Sequence, residues 1–446
     1  MINSRKLRSL YESKGKSAAG ALSFVNEVHN LLGLCDENGN KYRDAAGNPI
    51  IKEAKVRAED FNLHEAAQAV LGENWAEIVE GRTQSSFAAL SKRAEMEKAG
   101  SSSKDIFESG VGVGVDPSAG ININAFSGLT SGLIERRILE SFQNPMFIGN
   151  ELMPDEAFKA SGQKYIQSSP LGDRSARRNA GEPHARANTY GRFVRLPDSY
   201  ENALAIDVTA EAIFYALDNS LMSTAASVGT ELAYRKELEM LETIVKTSGT
   251  FKWNDVGYDT YDDLSASLGY NNAITSNALL DWTSIQTDVV AFSRFTDPDT
   301  KKRILVQPTV LLVPPALLET AKLIVGSTGG ERRTDSGLTQ ANATSLNVAN
   351  TDYFPYGGQF KVVSSPLLEQ VLVDTATATD NADASKFWFM IDPSKAFRFI
   401  SNMPLTVSQS TGSYQQLDNK IAISYFASYR GVPAIISPWH AIRNKG

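Results

Sequence analysis

The chain holds one cysteine, Cys35, and four histidines, His29, His64, His184 and His440. A single thiol cannot close an intrachain disulfide, which fits a reducing compartment. No histidine stands in an HExxH or comparable ligand spacing, so no metal site is expected. No run of about 18 apolar residues occurs, so a transmembrane helix is not expected either. The first residues, MINSRKLRSLYESKGKSAAGALSF, are charged but lack a long apolar core. They do not read as a secretory signal, and the expectation is a chain made and kept in a cytoplasm, without a membrane partner. Positive charge is also in deficit: 44 Lys and Arg against 51 Asp and Glu leave a net charge of −7. A DNA-wrapping protein needs a basic surface to neutralise phosphates, so this chain can border nucleic acid but is not expected to grip it.

Catalytic and ligand motifs are absent in the same way. Gly15-Lys16-Ser17 has the ending of a phosphate-binding loop, but the earlier glycine the loop requires falls on Leu10. Asp36, Asn38 and Asn40 imitate the start of a calcium loop, yet Lys41 occupies its glycine position and Gly47 its final glutamate. Gly110, Gly112 and Gly114 lack the later glycine of a dinucleotide fingerprint. There is no Gly-x-Ser-x-Gly elbow. Cys35 follows a helix end and reads as a small buried residue. The chain is therefore expected to be no enzyme and to carry no cofactor.

What is present is ordinary globular text, 42% hydrophobic and 21% charged, long enough for two or three lobes. Ala21, Val25, Val28 and Leu32 form a helical stripe that stops at Gly33. Asn38-Gly39 and Gly47-Asn48-Pro49 mark a small hairpin or loop. Asp60 can cap a helix with Leu63, Ala66, Ala67, Val70 and Leu71 inside, and another helix is expected over about 86–98. AGSSSKDIFESGVGVGVDPSAG reads as a linker. Leu133, Ile134 and Ile138 predict a short helix ending before Asn144-Pro145. Further on, a helix with Ile285, Val289 and Phe292 precedes the buried strand TVLLV. Pro314-Pro315 then starts a helix bearing Leu317, Leu318, Ala321 and Leu323. FKVVSS and FWFMI read as strands, with a long polar loop, 326–350, before them. Ile421, Ile423, Tyr425, Ala427 and Tyr429 lie on one face of a closing strand.

Two segments stand out. DRSARRNAGEPHARANTYGR is arginine-rich and short of apolar anchors, so it cannot build its own core. Arg174, Arg177, Arg178, Arg186, Arg192 and Arg195 belong either to a solvated loop or to an arm docking on acidic surface of a neighbouring copy, where guanidinium forks suit carboxylates. LPDSYENALAID is an extended stretch leading out. A long helix follows, with Tyr234, Leu238, Leu241 and Val245 as its stripe and Glu231, Arg235, Glu239, Glu242 and Lys246 off it. Glu231–Arg235 and Glu242–Lys246 have the favourable order for ion pairs one turn apart. The helical text could begin as early as Thr209, with a break near Asp218-Asn219.

The order of these parts resembles the major capsid proteins of tailed bacteriophages, with the α+β Hong Kong 97-like capsid fold. SGLIERRILESFQNPMFIGNELMP is similar to that family's lead-in to its E-loop. TVLLVPPALLETAKLIV and FKVVSSPLL resemble A-domain segments, and ISYFASYRGVPAIISPWHAI resembles the closing strands. The likeness covers about residues 125–446. It implies a mainly helical N-terminal arm over 1–100, a linker over 101–130 and an N-arm lead-in over 131–159. It further implies an E-loop over 160–206, a P-domain with spine helix over 207–281, an A-domain over 282–395 and closing P-domain strands over 396–446. It also implies a homo-oligomer of pentamers and hexamers closed into an icosahedral shell around double-stranded DNA, contacted without sequence preference. Portal, scaffolding or decoration proteins are conceivable partners. Arg5, Lys6 and Arg8, in the basic start, are candidates to face DNA. An encapsulin-like compartment shares the fold but lacks so long a leading segment. An α/β hydrolase-type enzyme would need a convergent polar site.

Overall fold

The computed structural model describes residues 4–14, 18–36, 38–43, 49–52, 131–144, 146–157, 162–168, 191–209, 220–247, 249, 251–262, 270–297, 301–326, 356, 358–410 and 421–446. The helices expected near 60–71 and 86–98, the linker, the polar loop and Arg174, Arg177, Arg178 and Arg186 lie outside these residues. In chain order the helices are α1 (Ser4–Lys14), α2 (Ala18–Leu31), α3 (131–142), α4 (Gly149–Leu152), α5 (Ser220–Val245), α6 (Trp282–Arg294), α7 (Leu318–Gly326), α8 (Leu368–Asp374) and α9 (Asn381–Ala384). The strands are β1 (Asp155–Ala157), β2 (Lys164–Ser168), β3 (Gly191–Arg195), β4 (Tyr200–Thr209), β5 (Phe251–Trp253), β6 (Val256–Tyr258), β7 (Ala273–Thr275), β8 (Val310–Val313), β9 (Lys361–Ser364), β10 (Phe387–Ile391), β11 (Phe397–Ser410), β12 (Ile421–Ile435) and β13 (Ala441–Lys445). They form three sheets, ordered β1-β11-β12-β4, β7-β13-β10-β8-β9 and β2-β3-β5-β6.

The chain divides into two compact units, one of Met1–Asn144, Glu201–Tyr234 and Met403–Arg430, the other of Pro145–Tyr200, Arg235–Asn402 and Gly431–Gly446. In the first, α2 ends as its sequence dictates. Gly33 adopts φ +72, its N–H reaches the Asn30 carbonyl and the Leu34 N–H reaches the His29 carbonyl. These paired bonds satisfy carbonyls the helix end leaves open, and glycine alone takes that backbone conformation freely. Phe24, Val28 and Leu32 are fully buried, as are Leu133, Ile134 and Ile138 on α3. Tyr11 meets the Phe24 ring edge-on at 5.2 Å. The turn after α2 is held by Asp36, whose carboxylate accepts from the Asn38 and Asn40 N–H groups at 2.9 and 2.8 Å. Those residues make an Asx turn in place of the calcium loop they imitate. Lys41 reaches Glu135 of α3, and Arg136 reaches the Lys52 carbonyl.

α3 also lies close to the first half of α5 at Gly229, where a Cβ would press into the Ile138 carbonyl oxygen. Replacing Gly229 by valine therefore forces two helices apart. A loss of about 1–3 kcal/mol, the usual range for overpacking, is expected in chemical denaturation, and an unchanged midpoint would show that the helices separate freely.

In the second unit the five-stranded sheet has β10 at its centre, antiparallel to both β13 and β8, while β8–β9 and β13–β7 pair in parallel. Every residue of β8 and β10 is buried. Both strands read as continuous apolar runs because both of their faces are covered. α6 begins at Asp281, whose carboxylate accepts from the Thr283 N–H at 2.8 Å. α7 follows Pro315–Leu317, a single tight turn. Its buried positions are Ala321, Ile324 and Val325, and Leu323 is 69% exposed. Two residues past Ala321 is about 200° around a helix, which turns Leu323 to the outer side.

Candidate assembly interface

The most distinctive construction in the second unit is the hairpin of β2 and β3. Its strands pair antiparallel from Lys164↔Arg195 to Ser168↔Gly191, and residues 169–190 join the two strands beyond that last rung. β3 also pairs with β5, and β5–β6 closes with Asn254 and Asp255 at positive φ, 50 and 66. Two successive positive-φ residues make the tight turn whose twist suits a two-residue hairpin. This turn in turn holds β3. The Asn254 N–H donates to the Phe193 carbonyl at 3.0 Å, and Asn254 Oδ1 accepts from the Phe193 N–H at 3.2 Å.

Charges fasten both ends of the hairpin. At the outer rung Lys164 and Arg195 share Asp255, at 3.6 and 3.2 Å. These groups are about half exposed, so the pairs contribute little. One rung short of residue 169, Arg192 is different. Its Nη1 donates to Asp297 Oδ1 at 2.5 Å, with side chains 8% and 1% exposed. Its guanidinium lies 5.2 Å from the centre of the Trp439 ring. Gln167, the partner of Arg192 across the rung, donates to the Ile436 carbonyl and to Ser437 Oγ at 3.3 and 3.4 Å. Tyr165 packs on the cluster of Leu196, Ile400, Val432, Ala434 and Ile436. Ile166, pointing the other way, is 81% exposed. Of the six arginines singled out in the sequence, Arg192 is thus committed inside its own subunit, and Arg195 stands at the surface.

The long helix α5 differs from its reading in detail. Leu241 and Val245 are fully buried, while Tyr234 and Leu238 are half-buried. Its buried side also takes Lys236, Glu237 and Glu239. Glu237 accepts from the Gly149 N–H at 2.6 Å and satisfies the open start of α4. Burial pushes its carboxyl above the usual range, against the pull of those N–H donors. Lys236 reaches Asp155 at 3.1 Å and Asn150 at 3.0 Å, with Phe399 beneath its ammonium at 4.3 Å. Glu239, expected off the stripe, is buried and pairs with Arg235 at 2.9 Å. Arg235 turns to it and not to Glu231. Alternation of charged and apolar letters could not show the burial of Lys236 and Glu237, because their partners Asp155 and Gly149 lie some 80 residues away in the chain. Arg5, Lys6 and Arg8 fall within α1, and their side chains lie outside the described residues.

One further buried polar group belongs to this unit. Asp288 of α6 is fully buried, accepting from Asn277 Nδ2 at 3.2 Å and Asn444 Nδ2 at 2.6 Å. Burial pushes its carboxyl up to about 8, although both amides favour the ionised form. Among the described residues there is no group of three or more His, Cys, Asp or Glu placed to hold a metal, and no helix long and apolar enough to cross a membrane.

Residues 199–444, more than half of the 446, match the family described as phage capsid protein. The chain belongs to that family. Its role is structural, and its place is the capsid of a virion. The α+β fold class expected from the sequence, that of Hong Kong 97-like capsid proteins, goes with this membership. No curated protein sequence matches the capsid protein. It is similar to a solved chain described as Gordonia phage Cozz, at 10% identity, covering 67% of this chain and 85% of that one with TM-score 0.37. It is also similar to a chain from the capsid of cyanophage P-SCSP1u, at 12% identity, 67% and 88% coverage and TM-score 0.39. A third, from a capsid of a native GTA particle, is 11% identical, with 68% and 90% coverage and TM-score 0.40.

Proposed function

We propose that this capsid protein forms pentamers and hexamers that close into an icosahedral shell around double-stranded DNA, and that residues 169–190 make its principal contact with a neighbouring copy. The observation that carries this reading is the hairpin of β2 and β3, fastened inside the subunit, with Arg174, Arg177, Arg178 and Arg186 in the segment beyond its last rung. A segment this polar gains little from burial against its own chain. Guanidinium forks gain most when they meet carboxylates, and a chain with 51 acidic residues supplies those on every copy. In this reading 160–206 acts as the E-loop, α5 as the spine, 282–395 as the A-domain and 396–446 as closing strands of the P-domain. The helical start, with Arg5, Lys6 and Arg8, faces the packaged DNA. Each interface is modest, and the sum over a closed shell is large.

The chain expressed in a bacterial cytoplasm, with scaffolding partners if needed, should give closed round particles or rings of five and six by electron microscopy. Changing Arg174, Arg177, Arg178 and Arg186 together to serine should leave the subunit folded and lower particle yield by about tenfold or more. Wild-type particles from that variant would overturn the contact assigned to 169–190. A chain that stayed single with every partner co-expressed would overturn the shell geometry.

A further inference from the structure

We infer that the Gln167–Arg192 rung is a positioning joint, which sets the direction in which residues 169–190 leave the subunit. The inference rests on the reading that 169–190 contacts a neighbouring copy. β3 pairs with β5 at Val194↔Trp253, two residues back from Arg192, and from there toward residue 168 the two strands continue as a ribbon, which twists readily. One fixed point would leave it free to swivel. Here both strands are fixed at the same rung, on the same face: Gln167 to the Ile436 carbonyl and Ser437, Arg192 to Asp297 and the face of Trp439. Partners across an antiparallel rung stand about 5 Å apart, so the two anchors resist rotation as well as translation.

The position matters as much as the strength. The rung is the last but one before residue 169, next to Ser168↔Gly191. Further back the hairpin is held by Tyr165 on the core cluster and by the Asn254–Phe193 bonds, while Lys164 and Arg195 on Asp255 are exposed. A turn of about 20° at the rung displaces whatever lies beyond it by roughly 3–4 Å for each 10 Å of distance, more than an interface hydrogen bond can tolerate. Arg192 suits this duty because its planar fork fixes the direction of Asp297 while its guanidinium also lies 5.2 Å from the centre of the Trp439 ring, and a lysine ammonium lacks the fork. Asp297 is itself held at the neck of a short hairpin, where its N–H donates to the Lys302 carbonyl at 2.7 Å and its carbonyl accepts from the Lys301 N–H at 2.8 Å. The Asp297 backbone is therefore held on both of its polar groups.

The test compares three full-length variants in the same assembly reaction, with particle yield and diameter read by electron microscopy and subunit melting read separately. Arg192→Met with Asp297→Leu removes the pair and fills its space with apolar atoms, a change that buried pairs often tolerate in stability. The expected result is a subunit that melts near wild type but gives about tenfold fewer closed particles, or particles of uneven diameter. Arg192→Lys keeps charge on Asp297 without the fork and should fall between that variant and wild type. The serine variant of Arg174, Arg177, Arg178 and Arg186 reports on the contact itself. If that variant fails to assemble while Arg192→Met/Asp297→Leu gives uniform wild-type particles, the joint is overturned and the contact stands. If the serine variant assembles normally, the contact reading falls, and the joint with it. Should the double variant not fold, Arg192→Lys decides, and wild-type yield and diameter from it would overturn the joint.

Discussion

Trp388→Ala is expected to destabilise the capsid protein subunit by about 3–5 kcal/mol, as for other large aromatic truncations in a packed core. Trp388 is fully buried in β10, the central strand of the five-stranded sheet. Its Nε1–H donates to the Asn277 carbonyl at 2.7 Å, tying β10 to the loop that enters α6. The substitution opens a cavity on the face of the sheet where Trp388 packs, and it strands a buried carbonyl. Trp388→Phe keeps most of the volume and loses the bond, so about 1–3 kcal/mol is expected from the unsatisfied carbonyl and the smaller ring. Urea denaturation of dissociated subunits measures both. A loss below about 1 kcal/mol for the alanine variant would mean that the core collapses around the gap.

Asp288 should make subunit stability fall as pH rises. Its folded pKa, raised to about 8 by burial, lies above its ordinary value of 3.8. Between these values the folded subunit keeps a proton that the unfolded chain has released. The contribution is fully present below about pH 4 and is lost as pH rises through 8, at a limiting slope of about 1.4 kcal/mol per pH unit. His440 acts oppositely. Burial lowers its pKa to about 4 from 6.5, so the unfolded chain takes up a proton first and stability is lost as pH falls from 6.5 through 4. In wild type the two slopes oppose each other between about pH 4 and 6.5. Asp288→Asn removes one of them. Its stability should rise over that window and show no loss from this site between 6.5 and 8, whatever its absolute level. A variant with the wild-type pH profile would show that Asp288 is ionised in the folded subunit throughout, with its two amide donors outweighing burial.

Asp288 did not announce itself in the sequence. The spacing of Ile285, Val289 and Phe292 placed α6 correctly, and Ile285 and Phe292 are buried as read. Val289, however, is only half-buried, and the inner position beside it belongs to Asp288. An aspartate in a helical stripe looks like the solvated side until its amide partners are known. Those partners, Asn277 and Asn444, come from a loop and from the last strand. The same holds for Lys236 and Glu237 on α5, and for Arg192, whose partner Asp297 is 105 residues on.

Local chemistry was legible without coordinates. Gly33 ends α2 because glycine enters the left-handed region without penalty, and the apolar runs VLLV and FWFMI become strands buried on both faces. Such elements depend on neighbours in sequence, and it was their order that resembled the capsid proteins of tailed bacteriophages. What only the tertiary structure decided is where the charges go. A buried ion pair or carboxylate is stable only when its partner arrives from elsewhere in the chain, and no periodicity in one segment records the position of another.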